Sequence, residues 1–180
     1  MVEVRRLGRS DLPDLLGAID RSEHVEIQYA VVDGAIVEAR VVMEDVPGWD
    51  REGDGPYSVA HQVRFATSVV DDHGGIVLGA YVDDAIAGEA IVAPTFEPPM
   101  AWFASLHVSN AHRRHGVAAA LWEECVHLSR ESGATQMYVS ATPTRSAVGF
   151  YLSRGCRLAE PVHARLFEEE PEDIHLILDL

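Results

Sequence analysis

Long apolar runs are missing from this chain of 180 residues, cysteine is scarce, and positive charge is in short supply. No stretch reaches the roughly 18 apolar residues that a membrane-spanning helix requires. The N-terminus carries Glu3, Arg5 and Arg6 where a secretory signal would place an apolar segment, so a cytoplasmic protein without a membrane partner is expected. Two cysteines, Cys125 and Cys156, are too few for a disulfide framework and read as reduced, packed thiols. Fourteen basic against twenty-nine acidic residues give a formal charge of −15. That balance argues against nucleic acid and favours a cationic substrate, although it also serves solubility alone. The nine histidines are spread from His24 to His175. Only His112 and His115 lie close together, without a second cluster, so no metal is expected. The serine-hydrolase elbow, the Walker lysine motif and the dinucleotide glycine pattern are all absent.

What is present is enough chain for one domain spanning residues 1–180, which would bury roughly 70% of its unfolded surface. Val2 to Leu7 reads as a strand, and Ser10 or Asp11 caps a helix running through Leu15, Leu16 and Ile19. Tyr29 to Val32 and Ala35 to Val37 flank Asp33-Gly34, the dipeptide of a two-residue type I′ turn, and so predict a hairpin whose second strand continues toward Met43. Glu44 to Pro56, rich in Gly and Pro, reads as a long loop. Ser58 to Val70 fits a helix. Two antiparallel strands follow, Ile76 to Val82 and Ile86 to Val92, joined at Asp83-Asp84, with a loop from Pro94 to Pro99.

The sharpest feature is W-F-A-S-L-H-V-S-N-A-H-R-R-H-G-V-A, Trp102 to Ala118. A buried strand gives way at Ser109 to a turn. From Gly116 apolar residues recur at helical spacing, Val117, Leu121, Cys125 and Leu128, until Gly133 stops the helix. Successive backbone N–H groups at the start of a helix make an anion site suited to phosphate. Gln136 to Ala141 then alternates as a short strand, Thr142-Pro143 reads as a helix cap with proline at the first position, and Gly155 ends that helix. This order implies a parallel pairing of the 102–108 and 136–141 strands through a right-handed crossover. Arg157 to Ala159 adds an edge, and Ile174 to Leu180 closes the sheet.

The run around Arg113, Gly116 and Ala118 resembles the acyl-CoA motif of the GNAT family of N-acetyltransferases: Arg or Gln, two residues, Gly, one residue, then Gly or Ala. A second stretch, Thr144 to Cys156, is similar to the family's late motif through Ala147, Tyr151 and Gly155. Thr144 stands where Asn is usual and Cys156 where Phe is usual. The resemblance covers Ala101 to Arg157, and the N-terminal half agrees only in layout. It implies a mixed α/β fold, a central twisted sheet with helices on both faces. The cofactor it implies is acetyl-CoA. Arg113, Arg114, His115, Gly116, Val117 and Ala118 would hold the pyrophosphate, Leu106, His107 and Val108 the pantetheine arm, and Thr144, Ala147 and Tyr151 the late-motif side. Family members place this tyrosine beside the coenzyme A sulfur, which makes Tyr151 the acid expected to protonate the leaving thiolate.

The reaction sets the remaining requirements. An aliphatic amine of pKa ~10.4 is neutral at pH 7 only to about one part in a few thousand, a handicap of roughly 4 to 5 kcal/mol, so it must lose a proton. Glu89 on the strand, Glu97 in the following loop, His107, and a water relay are all candidates for that step. Histone-type members keep a glutamate where this chain has Trp102. Trp49 and Trp102 are candidate acceptor contacts, with Trp49 equally readable as a pin holding its loop to the core. The expected activity is acetyl transfer to a primary amine of a small cationic molecule, in a ternary complex. A non-catalytic acyl-CoA-binding module is the rival reading, and self-association as a homodimer is left open. Acidic residues at Glu168 to Glu170 and Glu172-Asp173 read as a solvated loop with a minor attraction for a cationic acceptor.

Overall fold

The computed structural model describes residues 1–180. In chain order the elements are β1 (Val2–Leu7), α1 (Leu12–Ala18), β2 (Glu23–Val32), β3 (Ala35–Val46), α2 (Val59–His73), β4 (Ile76–Val82) and β5 (Ala85–Glu97). There follow β6 (Met100–Val108), α3 (Val117–Glu131), β7 (Gln136–Ala141), α4 (Arg145–Ser153), β8 (Arg157–Leu158), α5 (Ala164–Glu169) and β9 (Ile174–Asp179). Seven strands make one sheet in the order β1-β4-β5-β6-β7-β9-β8, while β2 and β3 stand apart as a hairpin. Only β6 and β7 run parallel, the arrangement that the intervening helix α3 permits.

Alternation along the strands divides the apolar residues between two cores. Leu78, Ala90, Phe103, Leu121, Met137 and Leu176 pack with α3 and α4 on one face. Leu12, Leu15, Val69, Ile91, Trp102 and Tyr138 pack with α1 and α2 on the other. Helices cover both faces, as expected. No helix is long and apolar enough to cross a membrane.

The type I′ turn is present, with Asp33 at φ 51° and Gly34 at φ 74°. Three local details depart from expectation. The segment from Pro94 is not a loop: β5 runs on to Glu97, which pairs with Met100, and the pairing is irregular between Ala93 and Glu97, where a proline costs no regular ladder bond. The cap of α4 is Thr144, whose side chain accepts from the Ala147 amide. Thr142 and Pro143 remain outside the helix because the Pro143 carbonyl accepts from Tyr29 N at 2.9 Å. The acidic segment near the C-terminus begins inside α5, which His163 caps and Leu166 anchors in the core.

Candidate active site

The cleft starts from an irregularity in β6. Ile91 faces Ser105 and Val92 faces Phe103 across the β5–β6 pair, so Ala104 is an extra residue, a bulge that bends its strand. The pairing of β6 with β7 stops at the same place, its last register being Phe103 with Val139. Beyond it the two strands splay, leaving the end of β6 bonded on one side only. Strand β2 lies across the opening. Just before it the Asp20 carbonyl accepts from Asn110 N at 2.8 Å, and within it Gln28 bridges Thr144.

The splay opens into a cavity of about 310 Å³ walled by β6, by α2 and the loop before it, and by the turn after α5. Shifting the parity of β6 by one residue carries Ser105 and His107 to the face that also bears Glu89. Glu89 is fully buried and its Oε1 accepts from Ser105 Oγ at 2.7 Å. The same oxygen lies 2.7 Å from His107 Nδ1. With the ring proton on Nδ1 donated to Glu89, Nε2 keeps its lone pair. His107 retains 27% exposure of its side chain, lines the cavity, and packs edge-on to Trp49 at 5.1 Å.

Tyr151 faces the cavity from α4 and packs against Phe103 and Trp122. Burial holds its hydroxyl well above the usual phenol range, so it is protonated at any physiological pH. At the other end of β6 the backbone turns back on itself, with Arg114 at φ 63° and Gly116 at φ 84°. Gly116 stands at the N-cap of α3 and no side chain caps that helix, which leaves its first-turn amides open to an anion.

Several residues singled out from the sequence take other roles. Trp102 is 4% exposed and packs with Phe65 and Phe96 in the core; it is no acceptor contact, and the exchange of glutamate for indole there leaves the cleft untouched. Glu97 sits at the far end of β5, paired with His163 at 3.1 Å, five residues of strand or about 17 Å from Ser105, too far to serve as base. Glu89 does not line the cavity, so it reaches an acceptor only through His107. The side chain of Arg113 turns inward, donating to the Arg21 carbonyl at 3.0 Å and the Val108 carbonyl at 3.3 Å, and braces the turn without facing a phosphate. Val108 packs against the core, as does Val117. Thr144 spends its hydroxyl on the cap. Leu106, His107, Ala147, Tyr151 and Trp49 do line the cavity, while Arg114 and His115 belong to the turn and Ala118 to the first turn of α3.

The structure adds Arg21 and Tyr57, which no linear pattern marked, and brings to the cavity the acidic segment that the sequence read as a solvated loop with a minor attraction for a cationic acceptor. Arg21 follows α1 and stacks on Trp49 at 4.2 Å and Tyr57 at 5.5 Å. Glu170 and Asp173, from the turn after α5, line the opposite wall. Burial, and then the charge of Glu170, push Asp173 up to about 7. Glu170, more open at the rim, is raised in the same direction by partial desolvation. A second cavity of about 370 Å³ lies at the other end of β6 and β7, between Met100, Gln136 and Val162. It is away from both the splay and the helix start.

A mostly antiparallel sheet with helices on both faces, one parallel pair opened by a bulge and an uncapped helix start beside it define an acyl-CoA N-acyltransferase architecture. The model of the Acetyltransferase (GNAT) family matches residues 42–156, and the chain belongs to that family of acetyltransferases. Nothing among curated protein sequences matches it. Among solved structures it is similar to a nourseothricin acetyltransferase at 18% identity and TM-score 0.67, covering 99% of this chain and 98% of that one. It is also similar to the PaiA N-acetyltransferase of Thermoplasma acidophilum in complex with coenzyme A, at 14% identity and TM-score 0.63, covering 100% and 99%. A third, a Bacillus anthracis protein assigned as a streptothricin acetyltransferase and solved with acetyl coenzyme A, is 16% identical with a TM-score of 0.64, covering 100% and 98%. At these identities the likeness is one of fold.

Proposed function

We propose that the whole chain, residues 1–180, works as one N-acetyltransferase domain that moves an acetyl group from acetyl-CoA directly to a primary amine of a small cationic acceptor, both bound together. The observation that carries this is His107, held by a sealed carboxyl and facing the mouth of the splayed strands. The residues present suit the cosubstrate: open amides at Arg114 to Ala118 for a pyrophosphate, and an apolar floor of Phe103, Ala147 and Tyr151 for the pantetheine arm. Two neighbours of the same fold, solved with acetyl coenzyme A and coenzyme A, support the assignment.

Acetyl-CoA supplies the activated acyl group; the chain supplies the proton transfers. His107 Nε2 takes the proton that the acceptor nitrogen loses as its bond to the acyl carbon forms. Glu89, by accepting from Nδ1, positions the ring and favours the imidazolium that results, while Ser105 fixes the carboxyl. Tyr151 delivers a proton to the departing sulfur as the carbon–sulfur bond breaks. Its raised pKa is no obstacle, since the apolar walls that raise it disfavour a thiolate in the same place. His107 then releases its proton to solvent and Tyr151 is reprotonated. The acidity of the chain and the Glu170–Asp173 wall favour a cationic acceptor.

Calorimetric binding of acetyl-CoA, followed by a thiol-release screen over amines, tests the proposal. Binding with micromolar to millimolar affinity and turnover of at least one amine is expected. No binding at millimolar ligand would remove the cosubstrate, and binding without turnover across polyamines, aminoglycosides, amino acids and peptides would favour a non-catalytic module.

A further inference from the structure

Cationic side chains in this acidic protein are mostly spoken for: Arg5, Arg9, Arg145 and Arg157, for example, each hold a carboxylate. Arg21 makes no salt bridge, yet it is the arginine placed in the wall of the cleft. Its Nε is buried without a partner, and so is Nε1 of Trp49 directly beneath it. Both are donors that cannot accept, so the only group able to satisfy the pair is an acceptor, and beside a guanidinium that acceptor is best an anion. Desolvation disfavours the charge of Arg21 in the absence of such a partner. Burying a cation without its counter-ion is costly, and packing it flat over two aromatic rings recovers only part of that.

The anion does not come from the chain. Glu170 and Asp173 stand on the opposite wall, and neither is paired with Arg21. Trp49 links Arg21 to the reactive region: it carries the guanidinium on its ring at 4.2 Å and meets the His107 ring at 5.1 Å. A molecule lying along this indole would present an anionic group to Arg21 and an amine to His107, with any second cationic group directed to the acidic wall.

We infer that the acceptor is not a simple polyamine but an amino-acid-type molecule, whose carboxylate is held by Arg21 while its amine is acetylated at His107. The inference rests on the acetyl-transfer function above and narrows its acceptor. It is compatible with a net cationic substrate, since a diamino acid carries two ammonium groups and one carboxylate. Arg21 is here a specificity-determining residue; the chemistry stays with His107 and Tyr151.

Matched pairs that differ only by the carboxylate test it: lysine against cadaverine and ornithine against putrescine, with acetyl-CoA saturating. A charge-assisted bond to a desolvated guanidinium is expected to favour the carboxylated member by about 10- to 100-fold in kcat/KM. In Arg21→Gln that ratio should collapse to about 1, and Arg21→Lys should restore only part of it, because a point charge does not replace a planar fork. Binding provides a readout that does not need turnover: by calorimetry, Nα-acetyllysine should bind more tightly than N-acetylcadaverine in the presence of coenzyme A, and Arg21→Gln should remove the difference. Equal binding of those two products overturns the inference whether or not any amine is acetylated. Turnover of diamines as good as that of diamino acids overturns it while leaving acetyl transfer intact. An Arg21→Gln enzyme whose loss appears in the KM for acetyl-CoA overturns it also, by making Arg21 a contact of the cosubstrate.

Discussion

The two ends of the cleft are built in different ways. The turn from Arg113 to Ala118 is a backbone device: its capacity for an anion comes from two residues with positive φ and an uncapped helix, all within six consecutive positions. The acceptor end is a side-chain device, put together from Arg21 after α1, Trp49 and Tyr57 before α2, His107 on β6 and Asp173 before β9. A backbone device survives most substitutions of its side chains, whereas a side-chain device changes with each one. One end therefore suits a constant cosubstrate, and the other is free to vary with the acceptor.

The sharpest way to break this comparison is at His107, where both devices meet. Removing a positioned base typically costs 10²- to 10⁴-fold, so His107→Gln should lower kcat/KM by about 1,000-fold with acetyl-CoA binding unchanged. Glu89→Gln keeps the shape but loses the anionic partner of the ring, and is expected to cost about 10- to 100-fold and to shift the acidic limb of the pH–rate profile. If Glu89→Gln lowers the melting temperature and leaves the pH profile where it was, the buried carboxyl is structural. Next in size, Tyr151→Phe should lower kcat by about 100-fold with little change in coenzyme A affinity. Unchanged turnover between pH 6 and 9 would end the acid role.

What could be read from the chain follows the same division. Trp102 to Ala118 was legible as strand, turn and anion-binding helix start because every feature of it is local: apolar alternation, a glycine, a change of period. The parallel crossover to Gln136–Ala141 and the hairpin at Asp33-Gly34 were legible for the same reason. The bulge behind the splay was not, since it depends on one unpaired residue, Ala104, which leaves no mark in composition. That single shift also moved Ser105 and His107 onto the face of Glu89, turning a candidate base into the support of another. Trp102 misled because its proximity in sequence to the motif says nothing about which face of the sheet it serves. Arg21 was out of reach altogether, and Asp173 was marked only by its place in an acidic run; the two are 152 positions apart by their own numbering and joined only by the fold.

The turn can be sharpened at Gly116. A Cβ added there meets nothing within 4 Å, so Gly116→Ala tests φ without a clash. Holding a non-glycine residue in the left-handed region costs about 1 to 2 kcal/mol, which the exposed turn would relieve by rearranging its amides. Coenzyme A affinity should then fall about 5- to 30-fold. Arg114→Gly is the counterpart: it removes a positive charge while easing a strained φ of 63°. If the backbone does the holding, affinity should change by less than about threefold, because an exposed charge contributes little. A tenfold loss would show that the turn, too, depends on a side chain.

A similarly small effect is expected of Asp173, and its sign follows from its direction of shift. Folded, the carboxyl titrates at about 7, against 3.8 for the ordinary group, so the folded chain holds an extra proton between those values. Its contribution to stability is complete below about pH 4 and is lost as the pH rises through about 7. Above that, the wall carries an anion beside Glu170 that no cation of the chain pairs, which is the state a protonated amine relieves. Binding of a cationic diamino acid, measured calorimetrically without acetyl-CoA, should therefore tighten by about threefold from pH 6 to 8, partial exposure having discounted the full Coulomb gain. The same ligand should raise the melting temperature more at pH 8 than at pH 6. Asp173→Asn should flatten both trends while keeping the preference for a carboxylate that Arg21 supplies. If Asp173→Asn instead abolishes the pH trend and the carboxylate preference together, the two walls are not independent, and the acceptor end behaves as one coupled unit.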